Sequence, residues 1–577
     1  MTTFEVWAPA KRVRLRALGA DHDMTRRDDG WWEAEVEGAG PGTDYAYLLD
    51  DHDTPLPDPR SPWQPQGVHG PSRLYDHGAF AWSDDAWTGR QLPGAVLYEM
   101  HVGTFTPEGT FDAAVERLDH LVDLGIDLVE LLPVNAFNGE YNWGYDGVCW
   151  YAPHEAYGGP DGLKRFVDAC HNRGIGVVLD VVYNHFGPSG AYAPMFAPYL
   201  AEAGSNPWGA SINLDGPQSG EVRRYIIDSV LMWLRDYHVD GLRLDAVHAL
   251  VDHTATHLLE QLAAEVEVLS THVGRPLTLV AESDLNDPRL ITPREGAGYG
   301  LHAQWDDDVH HALHTLLTGE RQGYYADFGS LECLEAVLTG AFFHAGTWSS
   351  FRQRIHGRPV DRSRTPGHRF VAYLQNHDQI GNRAIGDRLS ASLSPGMLRV
   401  GATLLLTSPF TPMLFMGEEW ASSAPWQFFT SHPEPELAAA VKTGRRREFA
   451  DHGWAEAEVP DPQDPATFER SKLDWQELGK PGHAETYDLY RRLIALRKAH
   501  PDLSDPRLDT VRVRHGHQHL VMQRGRCAVA VNLAREPQTV SLPGAPRAVL
   551  LATEQGIGLQ RDRVEMPPES AVIVAFR

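Results

Sequence analysis

GLRLDAVHAL, residues 241–250, is the stretch whose reading decides the fold. As a strand it places Leu242, Leu244 and Ala246 on one side and Arg243, Asp245 and Val247 on the other. Neither side suits solvent. An arginine and an aspartate sent together into a core lose their hydration, so they must be compensated there or needed there for chemistry.

The surrounding chain supplies the context. Short apolar runs recur as VLYEMH (96–101), IDLVELLPV (126–134), GVVLDVVYNH (176–185), LTLVAES (277–283), GLHAQW (300–305), FVAYLQNHD (370–378) and PMLFMGEE (412–419). Amphipathic segments usually separate them. In TFDAAVERLDHLVDLG, for example, Phe111, Ala114, Val115, Leu118, Leu121 and Val122 share a helical face, and Gly125 stands where a C-cap glycine belongs. With GLRLDA, these make eight strands alternating with helices, which predicts an α/β protein built on a (β/α)₈ TIM barrel. Before about residue 88, FEVWA, VRLRAL, WWEAEVEG and DYAYLLD alternate between turn clusters. From about 507 the pattern returns in RVRHGHQHLVMQ, CAVAVNLA, RAVLLAT and SAVIVAFR. The expected organisation is an N-terminal β-sandwich (1–88), a barrel (89–500) with a short excursion after strand three (about 186–217), and a C-terminal β-sandwich (501–577).

In such barrels chemistry sits at the C-terminal ends of the strands. Those ends are polar here: Glu99 and His101, Asn184 and His185, Arg243 and Asp245, Glu282, then Asn376, His377 and Asp378. Each alone reads as a satisfied buried group or a helix cap. Together, on one face, they point to a site.

Bulk properties narrow the partner. The 577 residues carry a net charge of −27, with 51 Lys+Arg against 78 Asp+Glu. That balance disfavours nucleic acid, whose sequence-independent binding needs clustered cations, and leaves a neutral polyhydroxylated ligand unaffected. Cys149, Cys170, Cys333 and Cys527 form no CxxC pair, so neither a zinc ribbon nor a disulfide framework is expected, and a cytoplasmic location fits. The N-terminus lacks the apolar core of a signal peptide. VGATLLLTSPFTPMLFMG (400–417) is broken by Pro409 and Pro412, which reads as helix, turn and buried strand, not a membrane span.

DVVYNH (180–185), GLRLDAVH (241–248), VAES (280–283) and LQNHD (374–378) resemble, in order and placement, the strand-end motifs of the α-amylase family of glycoside hydrolases. With the flanking sandwiches the resemblance covers essentially the whole chain. It implies that Asp245 is the nucleophile, Glu282 the general acid and base, and Asp378 the transition-state stabiliser, with His185, Arg243 and His377 around the sugar. Retaining hydrolysis needs two carboxyl groups about 5 to 5.5 Å apart, one ionised and one protonated. Arg243 is expected to keep Asp245 charged, while Glu282, preceded by LTLVA and without an adjacent cation, is expected to hold its proton. The alternative for the Arg-Asp pair is a structural bridge, a role that also suits Asp180.

In NWGYDGVCWYAPHEAYGGP (142–160), Trp150, Tyr151 and Tyr157 read as loop packing. The resemblance implies a sugar-stacking role for Tyr145. Asp306, Asp307 and Asp308, after strand six, read either as a solvated helix start or as acceptors for sugar hydroxyls. His248 and Gln379 complete the expected substrate contacts. His310 and His314 have a zinc-like spacing without the glutamate of HExxH. Many amylases hold calcium partly through a histidine four residues after the nucleophile. Ala249 stands there, and no metal or organic cofactor is expected. HGHQH (515–519) reads as a hairpin turn.

Residues 300–320 with GYYADFG, NHDQIGNRAIGDRL and GEEWASSAPWQFFTSHPEPEL are similar to the maltooligosyltrehalose trehalohydrolases. The resemblance implies hydrolysis of the α-1,4 bond next to a terminal trehalose, with maltooligosyltrehalose and related α-glucans as partners. Glucan-branching enzymes are the nearest alternative, and a non-catalytic carbohydrate-binding barrel the next. The oligomeric state stays open.

Overall fold

The computed structural model describes residues 1–206, 209–450 and 459–577. All eight expected strands form, as β1 (Leu97–Met100), β2 (Leu128–Leu131), β3 (Gly176–Val181), β4 (Gly241–Leu244), β5 (Thr278–Ala281), β6 (Ala303–Trp305), β7 (Phe370–Tyr373) and β8 (Thr411–Phe415). Each pairs in parallel with the next, and β8 pairs with β1 to close the barrel.

Alternation sorts each strand between two cores. Leu242 and Leu244 face outward into the large cluster shared with the helices, as do Val177, Leu179 and Val181 on β3. A second cluster, including Leu97, Leu128, Val178, Val280, Ala303, Trp305, Val371, Tyr373 and Met413, fills the barrel. By the same parity Arg243 and Asp180 belong to the interior layer above Val178. Both sides of GLRL are buried, which answers the first question the stretch poses.

The expected helix over 110–125 is broken into Phe111–Val115 and Leu118–Leu124, and Gly125 (φ 93°) caps the second through its N–H. Phe111, Ala114, Leu118 and Leu121 are buried. Val122 is exposed, contrary to expectation, because it lies about 100° around the helix from Leu121 and off the buried stripe.

Two sheets lie at the N-terminal end. One joins Ala20–Asp23, Val13–Ala17, Asp44–Leu49 and Ser72–Arg73, and the other Thr2–Trp7, Trp31–Val36 and Thr25–Arg26. A five-stranded and a three-stranded sheet lie at the C-terminal end, with Val521, Ala530, Val540, Val564 and Val572 packed together. HGHQH is the turn between Arg512–His515 and His519–Arg524. Residues 400–417 comprise the end of the Pro395–Thr407 helix, a turn and β8. No helix of the described residues is long and apolar enough to cross a membrane. The excursion after β3 holds a short helix, Ala193–Phe196, and the paired strands Leu200–Asn206 and Gly209–Ile212. Residues 207–208 of it lie outside the described residues.

Candidate active site

Asp245 and Glu282 lie just past the ends of adjacent strands and are tied there by backbone. The Asp245 N–H donates to the Val181 carbonyl, the Glu282 N–H to the Leu244 carbonyl, and the Val247 N–H to the Glu282 carbonyl. Ala246 takes the left-handed conformation (φ 40°), uncommon for a residue with a Cβ. Its N–H donates to Glu282 Oε2 at 2.5 Å. The turn that ends β4 therefore holds the carboxyl group of β5.

Arg243, 1% exposed, organises the centre. Its Nη1 donates to both oxygens of Asp180 (3.0 and 2.8 Å) and to Asp245 Oδ1 (2.8 Å). Its Nη2 lies 3.7 Å from Glu282 Oε2. The guanidinium also rests 4.2 Å from the centre of the Trp305 ring, a stacking that a flat cation allows and an ammonium does not match. Asn184 Nδ2 donates to the other Asp245 oxygen at 2.7 Å. The expectation that Glu282 has no cation beside it is corrected. Arg243 is opposite Val280 in register, and its long side chain spans the one strand spacing to reach Glu282.

Burial nevertheless governs Glu282. It pushes the carboxyl up to about 8; Arg243 opposes this, and the charges of Asp245, Asp307 and Asp378 reinforce it. Burial likewise raises Asp180 to about 6 against the pull of Arg243.

A second chain of polar contacts runs around the barrel mouth. Glu99, at the end of β1, accepts from the His377 backbone N–H at 2.9 Å and from its Nδ1 at 2.5 Å. Burial alone would lower the His377 value, but the Glu99 carboxylate outweighs it and the net shift is upward. His377 Nε2 lies 2.8 Å from the Tyr145 hydroxyl, which donates to Asp180 at 2.6 Å. The Tyr145 ring stacks on the imidazole at 5.1 Å and 19°. Gly144 makes this loop possible: at φ 107°, a Cβ there would stand 2.1 Å from the Pro133 carbonyl oxygen. His185 braces the same loop, its Nε2 3.0 Å from the Tyr145 carbonyl and its Nδ1 2.5 Å from Asn184 Oδ1.

Asp378 is the most open of the acids, with its side chain 47% exposed in the first turn of the His377–Gly381 helix. Gln379 lies beside it, its Nε2 3.4 Å from Asp307 Oδ1. His248 Nε2 stands 3.9 Å from Asp284 Oδ1, near the Glu282 end of the cleft.

Of the three aspartates after β6, only Asp307 stays with this group, receiving the Tyr373 hydroxyl and feeling Asp378. Asp306 caps the Asp307–Thr318 helix by accepting from the Val309 N–H, and burial raises it well above the usual carboxylate range. Asp308 accepts from the Phe343 and His344 N–H groups and from Asn286. The expectation that all three meet sugar hydroxyls is corrected for Asp306 and Asp308. Successive helical residues turn by about 100° and cannot share one face. Nor are they a solvated helix start, since Asp306 and Asp308 are buried.

His310 contacts the Leu374 carbonyl and the Tyr325 hydroxyl, and His314 contacts Glu320, which occupies the zinc-like pair. Among the described residues no group of three or more potential ligands is arranged to hold a metal ion. Trp150, Tyr151 and Tyr157 are buried, as loop packing requires. The sequence reading missed Trp305 under Arg243, although inward parity with Ala303 marks it. It also passed over the hairpin around Phe351, which carries no motif.

A closed parallel barrel with acids gathered at its C-terminal mouth around a buried arginine defines the class: a glycoside hydrolase barrel of α-amylase type. The alpha-amylase catalytic-domain model matches residues 76–195, and a domain model of unknown function, DUF3459, matches 506–573. The chain is 58% identical to a malto-oligosyltrehalose trehalohydrolase of Mycobacterium tuberculosis over 94% of both chains, and 56% identical to one from Rhizobium sp. over 99% of this chain and 97% of that one. It belongs to the malto-oligosyltrehalose trehalohydrolase family. A 1,4-alpha-glucan branching enzyme of Corynebacterium jeikeium is 26% identical over 73% of this chain and 61% of its own. A crystal structure assigned as an alpha amylase of Salmonella typhimurium superposes with a TM-score of 0.91 at 39% identity, covering 100% of this chain and 97% of its own.

Proposed function

We propose that the chain is a retaining glycosidase that hydrolyses the α-1,4 bond next to the terminal trehalose of a maltooligosyltrehalose, releasing trehalose and a maltooligosaccharide. The observation that carries the chemistry is the single guanidinium that touches Asp245 at 2.8 Å and faces Glu282 at 3.7 Å. It brings two carboxyl groups to one cation, while burial keeps the second protonated at neutral pH.

In the first half-reaction Asp245 attacks the anomeric carbon as Glu282 gives its proton to the departing O4 of trehalose. In the second, the Glu282 carboxylate takes a proton from water, the water oxygen bonds to the anomeric carbon, and Asp245 leaves. Asp378 holds hydroxyls of the distorted ring, with Tyr145 and His377 beneath it and Arg243 fixing the nucleophile. Asp307 and Gln379 supply further polar contacts, and His248 lies toward the leaving sugar. His185 acts through the Tyr145 loop.

The trehalose step is supported by the relatives' activity. The chain's acidity argues against nucleic-acid partners, and the four cysteines, buried and unpaired, support a cytoplasmic setting. The test is chromatography of products from maltooligosyltrehalose and, separately, from amylose. Trehalose from the first is expected. New branch points in the second, without trehalose from the first, would instead mark a glycosyl transferase.

A further inference from the structure

The run of contacts from Glu99 to Asp180 holds more protons than a neutral histidine can supply, and counting them fixes a charge. Glu99, 1% exposed, turns both carboxylate oxygens to residue 377. Oε2 accepts the His377 backbone N–H at 2.9 Å, and Oε1 lies 2.5 Å from Nδ1. On the far side of the ring Nε2 lies 2.8 Å from the Tyr145 hydroxyl oxygen.

A tyrosine hydroxyl has one proton to give. That of Tyr145 goes to Asp180 Oδ2 at 2.6 Å, and Asp180 is the acceptor there because both its oxygens face Arg243 Nη1 as a carboxylate matched to a cation. The Tyr145 oxygen is therefore an acceptor toward His377, and Nε2 carries a hydrogen. Nδ1 carries one too, since Glu99 meets it with a carboxylate whose other oxygen is held by the backbone N–H. Two ring hydrogens make His377 an imidazolium.

The other charged and titratable groups around the ring divide. Burial opposes the cation; Glu99 and Asp378, whose Oδ1 lies 3.8 Å from Nε2, favour it, and Arg243 opposes it. His101, which burial lowers to about 3, is neutral at working pH. Trp143 and Trp305 face the ring with their own rings, and Trp426 Nε1 donates to the His377 carbonyl. We propose that Glu99 is a positioning residue that holds His377 as an imidazolium, with Nδ1–H given to Glu99 and Nε2–H to Tyr145, and that this cation helps keep Asp180 ionised and Tyr145 clamped at the site. The inference rests on the proposed hydrolysis and deepens it by naming what fixes the charge and place of its sugar-facing pair.

Glu99→Gln should remove the charge and keep the ring in place. Its amide oxygen can accept the backbone N–H, its NH2 group then faces Nδ1 and excludes the proton there, and the Nε2–H bond to Tyr145 survives. Neutron diffraction from the deuterium-exchanged full chain at about pD 7 reads the ring directly. Deuterons on both ring nitrogens are expected in the wild type, and on Nε2 alone in Glu99→Gln. A wild-type ring with a single deuteron overturns the inference, whether or not the variant folds. Kinetics read the consequence. Burial raises Asp180 to about 6, and the His377 charge works against that rise. Without the cation, the acid-side decline of kcat/KM should move up by roughly half a pH unit and the plateau should fall about tenfold, mainly in kcat. A loss that is uniform across pH, with the decline unmoved, marks a merely structural role and overturns the inference. The deuteron count does not depend on which glucan is cleaved, so a wild type that releases no trehalose overturns the proposed function alone.

Discussion

Asp245 and Asp180 accept hydrogen bonds from the same nitrogen of Arg243, yet replacing each by asparagine should have opposite signatures. Asp245 is 13% exposed, and Asp180 only 3%. In Asp245→Asn the arginine keeps both bonds to Asp180, and the new amide oxygen can still accept the third. What is lost is the charge on that bond and the acceptor facing Asn184 Nδ2, about 1.5 to 3 kcal/mol at a partly wet site, while turnover drops by at least about 10³-fold because an amide is no nucleophile. In Asp180→Asn the arginine keeps one partly exposed partner in a buried layer, and the Tyr145 hydroxyl loses its carboxylate acceptor. Leaving a buried charge under-compensated costs about 3 to 5 kcal/mol. In a barrel of this size that corresponds to roughly 3 to 10 °C in the midpoint of thermal unfolding. Calorimetry and initial rates on both variants give the comparison. If Asp245→Asn unfolds earlier than Asp180→Asn, or keeps more than a hundredth of wild-type turnover, the division between chemical and structural acid is wrong.

The proposed mechanism requires Glu282 protonated, so kcat/KM should decline as pH rises through about 8, and Asp307→Asn, by removing a negative charge that disfavours the ionised form, should move that decline to lower pH. Glu282→Gln should abolish turnover of natural substrate but lose far less on a glycoside whose leaving group needs no proton, and equal losses on both would remove the acid role. Gly144→Ala should reduce kcat/KM by about 10²-fold by displacing Tyr145, since its Cβ meets the Pro133 carbonyl; kinetics with a thermal melt separates this from general unfolding. Treatment with a chelator should leave both activity and the melting midpoint unchanged, and a drop in either would point to a required metal.

The barrel was legible because its strands combine a two-residue period with buried faces on both sides, and parity alone sends Arg243 and Asp245 inward together. The acidic trio was legible for the same reason: each member ends a strand or opens the helix after one. The helix after β6 was not, because a run of three aspartates does not reveal which rotation the N-cap imposes, and that rotation left Asp307 alone at the site. Nor could parity reveal the Phe351 hairpin, whose placement depends on the ion pair Arg352–Asp284 across 68 positions of sequence.

Legibility also failed for charge balance, and there the structure changes the argument. The sequence reading paired one arginine with one aspartate. The barrel mouth instead holds Glu99, Asp180, Asp245 and Glu282 around Arg243 and His377, with Glu130 buried beside Glu99 in register. Full ionisation of every acid would leave this layer strongly negative, a state that burial penalises. Burial accordingly raises Glu130 well above the carboxylate range, an effect the Glu99 charge reinforces and Arg243 opposes, and it raises Glu282 to about 8. With those two neutral, Glu99 matches His377, and Arg243 is shared by Asp180 and Asp245. The protonated state that the proposed mechanism asks of Glu282 is thus the one that electrostatics of the folded barrel favours before any substrate arrives.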